Sequence, residues 1–172
     1  MTQSTLVAPG LVLRPAHSAD AAAISTLIRS LSHLVLLHPD GRGAEPFLAS
    51  IGPAAISGYI TDPRYCYQLV MAEGELAGVL AVRDGSHLFH LFIAPAWQGR
   101  GLGARVLTQA MARVLAAHPR MTVNASLNAI SFYAKAGFVP VGEQVAQDGV
   151  AFLPMALDRH PGGLYQPPPS AR

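Results

Sequence analysis

A glycine-rich segment of this chain, Gln98-Gly-Arg-Gly-Leu-Gly103, has residue types that could bind a phosphate group. It follows a predicted buried strand and precedes a predicted helix, whose first amides have no partner within the helix. Those amides and the helix dipole favour an anion at the N-terminus. The glycines let the backbone approach a pyrophosphate closely, and Arg100 can supply a positive charge. The segment therefore predicts a phosphate-binding turn, with a tight strand-to-helix connection as the alternative.

The remaining reactive side chains do not form a recognisable motif of their own. Cys66 lies in a predicted strand with no adjacent histidine or acid to lower the pKa of its thiol, so a packing role is expected and not an acyl-cysteine intermediate. His33 and His38 do not have the spacing of a zinc site. No metal is predicted.

The first half of the chain is expected to supply a strand, helices and a hairpin that position this chemistry. Ser18 or Asp20 could cap a helix whose apolar residues recur at three- and four-residue spacing. The predicted elements are a strand at Leu11–Arg14, helices at Ala21–Leu31 and from Pro46 to Ile60 with an interruption near Gly52-Pro53, and a hairpin of Tyr65–Ala72 and Leu76–Val82.

The second half begins with His87–Ile93, which is apolar on both faces and is predicted to be a buried strand. After the glycine-rich segment, one face of a helix runs from Val106 to Leu115. The remaining predicted elements are a strand at Met121–Ala125, a helix at Asn128–Ala136 closed by Gly137, and strands at Phe138–Gln147 and Val150–Leu157. This order, β-α-α-β-β-β-α-β-α-β-β, predicts an α/β fold with a mixed sheet flanked by helices.

The length of 172 residues is that of one domain, which we place at residues 1–158. Residues 159–172 are rich in proline and glycine and are predicted to form a flexible tail. Hydrophobic residues make up 51% and charged residues 13% of the chain. This composition excludes a charge-rich disordered chain and a coiled coil.

The charge pattern argues against nucleic-acid and membrane partners. The net charge is only +2, and the twelve basic side chains are scattered and not clustered on one segment. No apolar run approaches the ~18 residues of a membrane span, and no basic residue precedes the first apolar stretch as in a signal peptide. The single cysteine cannot close an intrachain disulfide, so the cytoplasm is the predicted location.

A second motif, Phe132-Tyr133 followed by Gly137-Phe138, lies downstream in a predicted helix and at the next strand. Together with the glycine-rich segment it resembles the GNAT superfamily of acyl-CoA-dependent N-acyltransferases, whose signatures are Gln/Arg-x-x-Gly-x-Gly/Ala and a later Phe-Tyr…Gly-Phe. The order of elements from Leu11 to Leu157 is similar to that fold, so the resemblance covers nearly the whole chain. It implies a mixed, mostly antiparallel central sheet flanked by helices.

The resemblance also implies acetyl-CoA as the cosubstrate. By analogy, the backbone of Leu91, Phe92 and Ile93 would separate from the neighbouring strand and bond the pantetheine arm. Members of the family often have asparagine seven residues before the tyrosine, where this chain has Ser126, and Asn124 and Asn128 could substitute for it. The residues whose amides would hold the pyrophosphate are Gln98, Gly99, Arg100, Gly101, Leu102, Gly103 and Ala104.

Two side chains would then carry the chemistry. Tyr133 would be the general acid at the leaving sulfur; its reference pKa of about 10 exceeds the thiol's of about 8.5, so a hydrogen bond to the thiolate is as good an account as full proton transfer. His90 lies where many family members carry a glutamate base. As the general base, His90 would serve an amine of lowered pKa or act through water. The alternative is a histidine that only packs in the core. His87 is a second candidate base.

The reaction implied is acetyl transfer to an amine by direct attack. The acceptor region expected from Leu31–Phe47 and the Phe138–Val150 hairpin is apolar and poor in acids, which favours a small, moderately apolar amine over a polyamine. A non-catalytic acyl-CoA-binding regulatory module and a protein N-terminal or lysine acetyltransferase are the alternatives. The identity of the acceptor, a preference for another acyl-CoA and the oligomeric state, a homodimer included, are left open.

Overall fold

The computed structural model describes residues 3–160. The strands are β1 (Thr5–Ala8), β2 (Leu11–Pro15), β3 (Tyr65–Ala72), β4 (Glu75–Arg83), β5 (His87–Ile93), β6 (Arg120–Ser126), β7 (Val139–Pro140), β8 (Val145–Gln147) and β9 (Val150–Asp158). The helices are α1 (Ala21–Leu31), α2 (Glu45–Ser50), α3 (Pro53–Thr61), α4 (Leu102–Ala117) and α5 (Ile130–Lys135).

The strands form one sheet in the order β1-β2-β3-β4-β5-β6-β9-β7, with β8 also paired to β9. Among these strands only β5 and β6 run parallel, and the other pairs are antiparallel. A parallel neighbour requires a crossover connection, which α4 supplies between β5 and β6. The predicted fold class, a mixed and mostly antiparallel sheet flanked by helices, is confirmed.

The helices cover both faces of the sheet. Residues of α1 and α3 pack on one face with Leu69 of β3, and residues of α4 pack on the other face with Val70. Successive side chains of a strand point to opposite faces, so the adjacent residues Leu69 and Val70 of β3 are each buried, one on either face of the sheet. The central strands therefore lie between two apolar layers of helices.

A bulge and a gap interrupt the regular pairing of β5. His90 lies opposite Ala81 and Leu88 lies opposite Val82, which leaves Phe89 as an extra residue. Phe89 and His90 consequently pack toward the α1–α3 face together. On its other side β5 pairs with β6 only as far as Leu88↔Val123, and both strands continue beyond that point without pairing to each other.

Two predicted elements are divided in the structure. The helix expected from Pro46 to Ile60 is interrupted where anticipated, because Pro53 has no N–H and the preceding Gly52 is extended. The single strand predicted at Phe138–Gln147 is wrong, since β7 ends at Pro140 and β8 starts at Val145. Residues 141–144 between them are not part of a strand, although the Val141 amide still donates to the Pro154 carbonyl oxygen at 2.9 Å. Strand β1 was not predicted from the sequence.

The last described residues follow β9 and remain bonded to the rest of the structure. Arg159, the first residue of the predicted tail, donates its backbone N–H to the Pro119 carbonyl oxygen at an N···O distance of 2.8 Å. Residues 161–172, where the rest of that tail was predicted, lie outside the described residues. Within residues 3–160, none of the helices has both the length and the apolar character needed to cross a bilayer.

Candidate active site

The glycine-rich segment forms an open turn at the start of α4. Gly99 and Gly101 have positive φ values of 74° and 72°, and no atom lies within 4 Å of the position that a Cβ would take on either residue. The first bond of α4 runs from the Arg105 amide to the Gly101 carbonyl, so the amides of residues 102–104 have no helical acceptor. The turn therefore leaves room for an anion over three amides.

Two side-chain contacts hold this turn in place. The Gln98 Nε2 amide donates to the Ile93 carbonyl oxygen at 2.9 Å, which ties the turn to the end of β5. The Arg100 guanidinium carbon lies 4.9 Å from the centre of the Trp97 ring, a cation–π distance. Arg100 is exposed beside the turn, where it can add positive charge.

The gap between β5 and β6 opens into a small cavity of about 130 Å³. Leu91, Phe92 and Ile93 line one side and Gln98 lies at one end. Ser126 and Asn128 line the other side, where the Ser126 hydroxyl donates to Asn128 Oδ1 at 2.8 Å. This bond uses the Asn128 oxygen and leaves its amide N–H groups for another partner. The structure thus brings together the cofactor-binding residues predicted from both strands.

A larger space of about 300 Å³, here called the central cavity, continues from the same gap. It shares Leu91, Phe92 and Ser126 with the small cavity and extends to Tyr133. Its outer walls are mainly apolar. The residues that close it there are Val35, Phe47, Val150, Ala151 and Phe152.

Tyr133 reaches the central cavity from α5. Its ring is 6% exposed and packs edge-on against Phe132 and Phe138, with ring centres 5.1 Å and 5.6 Å away. Its hydroxyl has no hydrogen-bond partner among residues 3–160, yet no fully buried polar side-chain atom of that range lacks one. The hydroxyl therefore borders the cavity. Burial raises the pKa of Tyr133 above its usual value near 10, so the hydroxyl keeps its proton.

His90 also lines the central cavity, and its buried, largely aromatic surroundings favour the neutral imidazole. Its Nδ1 lies 2.8 Å from the Tyr67 hydroxyl, and the Phe89 ring stacks on it at 4.1 Å. The Tyr67 hydroxyl has no other side-chain partner among the described residues, so this contact ties the two side chains to each other. Burial lowers the pKa of His90 to about 3. These surroundings argue against the predicted role as general base.

His87, the second candidate base, is held by a different contact. Its Nδ1 lies 2.8 Å from the Thr122 hydroxyl oxygen, and burial lowers its pKa below the usual value. His33 and His38 do not line the central cavity. Among the described residues, no group of three or more His, Cys, Asp and Glu side chains is arranged to hold a metal ion.

The outer wall of the central cavity depends on a close backbone contact at Gly149. The Leu37 amide donates to the Gly149 carbonyl at 2.9 Å, and Leu36 bridges Val150. A Cβ on Gly149 would lie 2.5 Å from the Ala44 backbone. Only glycine permits this approach, which docks the loop after α1 on the turn between β8 and β9.

We expect Gly149→Ala to lower the free energy of unfolding by about 2–5 kcal/mol, because it adds a backbone clash to a positive φ of 73°. The matched control is Gly74→Ala. Gly74 also has a positive φ, of 84°, but no atom lies within 4 Å of the position of an added Cβ. This variant should lower the free energy of unfolding by only about 1–2 kcal/mol. Urea denaturation of the three proteins measures both. Equal losses in the two variants would show that the contact at Ala44 is unimportant.

Sequence reasoning missed Arg83, which lies at the end of β4 and lines the central cavity. Its position beside the site is set by the pairing of β4 with β5, where Arg83 lies opposite His87. A still larger space of about 500 Å³ lies between β3, α3 and the end of α4, and none of the predicted site residues lines it. We therefore assign the site to the central cavity and not to this larger space.

Comparison with known proteins identifies this arrangement. The family model described as an acetyltransferase (GNAT) domain matches residues 35–159. No curated protein sequence matches the chain.

Solved structures share the fold at low sequence identity. A GCN5-related N-acetyltransferase from Rhodopseudomonas palustris is 22% identical, covers 86% of this chain and 94% of its own, and has a TM-score of 0.66. Spermidine N-acetyltransferase SpeG from Vibrio cholerae is 15% identical over 88% and 95% of the two chains, with a TM-score of 0.62. The PaiA N-acetyltransferase of Thermoplasma acidophilum, solved with coenzyme A, is 15% identical over 87% and 99%, with a TM-score of 0.67. With the family match covering most of its length, the chain belongs to the GNAT acetyltransferase family.

Proposed function

We propose that this protein transfers an acetyl group from acetyl-CoA to the amine of a small acceptor bound in the central cavity. The observation that carries the proposal is the gap between β5 and β6, where pairing stops at Leu88. Two connected cavities open there, and the larger reaches the Tyr133 hydroxyl. A thioester in this gap would lie beside the Tyr133 hydroxyl and next to free space for an acceptor, which supports the proposal.

The residues around the gap fit coenzyme A. The turn at Gly99 and Gly101 has free space above the unpaired amides of residues 102–104, which suits a pyrophosphate. The unpaired edge of β5 at Leu91–Ile93 offers backbone groups to the amides of a pantetheine arm. Asn128 offers its amide N–H groups from the opposite side.

When bound, acetyl-CoA supplies the acetyl group as a thioester: a C–N bond forms with the acceptor nitrogen, the C–S bond breaks, and one proton passes in balance from nitrogen to sulfur. Tyr133 holds its proton at the hydroxyl oxygen and directs it to the sulfur, as a hydrogen bond that strengthens when negative charge develops. His90 stays neutral, because burial lowers its pKa, and takes no proton in this scheme. The acceptor accordingly enters as the neutral amine.

The pH dependence of kcat/KM tests this account of the base. Because burial lowers the pKa of His90 to about 3, this side chain stays neutral from pH 5 upward and contributes no step there. We expect kcat/KM to rise about tenfold per pH unit up to the pKa of the free acceptor amine. Two acceptors whose amine pKa values differ should therefore give two different midpoints. One midpoint near pH 6.5 for both, abolished in His90→Gln, would instead make His90 the base.

Calorimetric titration with acetyl-CoA, followed by an assay of amine-dependent thiol release, tests the function itself. Saturable binding with turnover of small amines supports the proposal. Binding without turnover of any amine would indicate a regulatory acyl-CoA-binding module. A cavity of about 300 Å³ is at the lower end for ligand sites and favours a small acceptor over a protein. Acetylation of lysate proteins in preference to small amines would contradict that choice.

A further inference from the structure

The charge of the central cavity is unusually one-sided. Of the described residues that line it, Arg83 is the one with a formal charge, and none is a carboxylate. The histidines there, His87 and His90, are neutral because burial lowers the pKa of each. A ligand that complements this cavity carries an anionic group and an apolar body.

The Arg83 side chain is held in place by two neighbours and keeps free donors. Its guanidinium carbon lies 5.5 Å from the centre of the Phe89 ring, and its Nε lies 3.3 Å from Asp84 Oδ2. The two terminal nitrogens have no hydrogen-bond partner among residues 3–160. A guanidinium offers parallel N–H groups that match the two oxygens of a carboxylate.

The contact with Asp84 does not account for this arrangement by itself. Both side chains are partly exposed, Arg83 at 36% and Asp84 at 56%, and exposed ion pairs contribute little stability. Asp84 is not among the residues that line the cavity. The pair therefore leaves Arg83 with unused hydrogen-bonding capacity on the cavity side.

We infer that the acceptor is an amine that also carries a carboxylate, on a small apolar or aromatic body, and that Arg83 binds the carboxylate. The inference rests on the proposed function and names its substrate class. The amine lies toward Tyr133, and the apolar body packs against Phe47, Phe89 and Phe152. Arg83 is a specificity-determining residue in this arrangement. A polycationic amine is disfavoured, since the cavity offers it a like charge and no carboxylate.

The test uses pairs of acceptors that differ only in the carboxylate: 4-(aminomethyl)benzoate with benzylamine, and phenylalanine with phenethylamine. We expect kcat/KM of the wild-type protein to be at least about tenfold higher for the acid-bearing member of one pair. Arg83→Gln should bring that ratio close to one, through a rise in the KM of the acid-bearing acceptor. Arg83→Lys should keep part of the preference, because the ammonium retains the charge without the paired N–H groups.

The matched control is Arg64→Gln, which removes the same charge from an exposed arginine that is paired with Asp62 outside the central cavity. It should retain the wild-type ratio. Equal use of both members of each pair by the wild type, or an unchanged ratio in Arg83→Gln, would overturn the inference and leave the proposed function intact. Absence of acetyl-CoA binding would overturn both.

If turnover is slow, a binding measurement distinguishes failure of the Arg83 inference from failure of the proposed function. The acetylated products of the first pair, titrated calorimetrically into the protein with coenzyme A present, need no catalysis. Tighter binding of the acid-bearing product, lost in Arg83→Gln and retained in Arg64→Gln, supports the inference. Equal binding of the two products overturns it.

Discussion

Gly101→Glu should weaken acetyl-CoA binding by about 100-fold or more. Gly101 is the residue before α4, and the space above it is open. A glutamate there would lie over the amides of residues 102–104, compete for them and repel the pyrophosphate. The change also strains the backbone, because Gly101 has a positive φ of 72°. Calorimetric titration of folded protein with acetyl-CoA measures the effect.

The matched control for this variant is Gly74→Glu, in the hairpin between β3 and β4. Gly74 has a φ of 84°, and no atom lies within 4 Å of the position of an added Cβ. The substitution there therefore introduces a similar backbone strain and the same charge. It should bind acetyl-CoA as the wild type does. If both variants bound equally well, the glycine-rich turn would not hold the cosubstrate. If both lost binding, the cause would be stability and not the turn.

Tyr133→Phe should lower kcat by about 100-fold or more, the range of a lost general acid. The hydroxyl has no protein partner among the described residues, so its removal leaves no buried group unpaired. The ring contacts with Phe132 and Phe138 persist in the variant. The binding constant for acetyl-CoA and the Tm should therefore stay close to the wild-type values while kcat falls.

Tyr59→Phe is the control for this second variant, since it makes the same chemical change in a tyrosine that does not line the central cavity. It should retain wild-type kcat. Because burial raises the pKa of Tyr133, we also expect no loss of wild-type kcat as the pH rises from 8 to 10. A kcat for Tyr133→Phe within a few-fold of wild type would remove the proton-donor role.

Local patterns in the sequence were sufficient for the parts of the site that one segment can build. The glycines at residues 99 and 101 and the helix after them predicted an open turn with free amides, which requires only neighbouring residues. Tyr133 was predicted from a motif within a short helix. Apolar periodicity likewise predicted α1 with its bounds at Ala21 and Leu31, because burial of one helix face repeats every three to four residues.

The role of His90 shows where such reasoning ends. The sequence placed it on a buried strand near the reaction, and the structure agrees. Its lowered pKa depends on burial among residues of other elements, and its Nδ1 meets the hydroxyl of Tyr67 on another strand. Neither can be read from residues adjacent in the chain.

The sequence by itself therefore predicted the fold class from the order of its elements and an open turn before α4 from neighbouring glycines, while the role of Tyr133 as proton donor followed from the resemblance to a family and stays a prediction. Only the tertiary structure decided where β5 and β6 part, which side Phe89 and His90 face, and that Arg83 borders the cavity. The physical reason is that each depends on pairing or packing between segments distant in the chain, and the bulge at Phe89 is an example. One extra residue changes the side to which the following side chains point, and its position is set by pairing with β4.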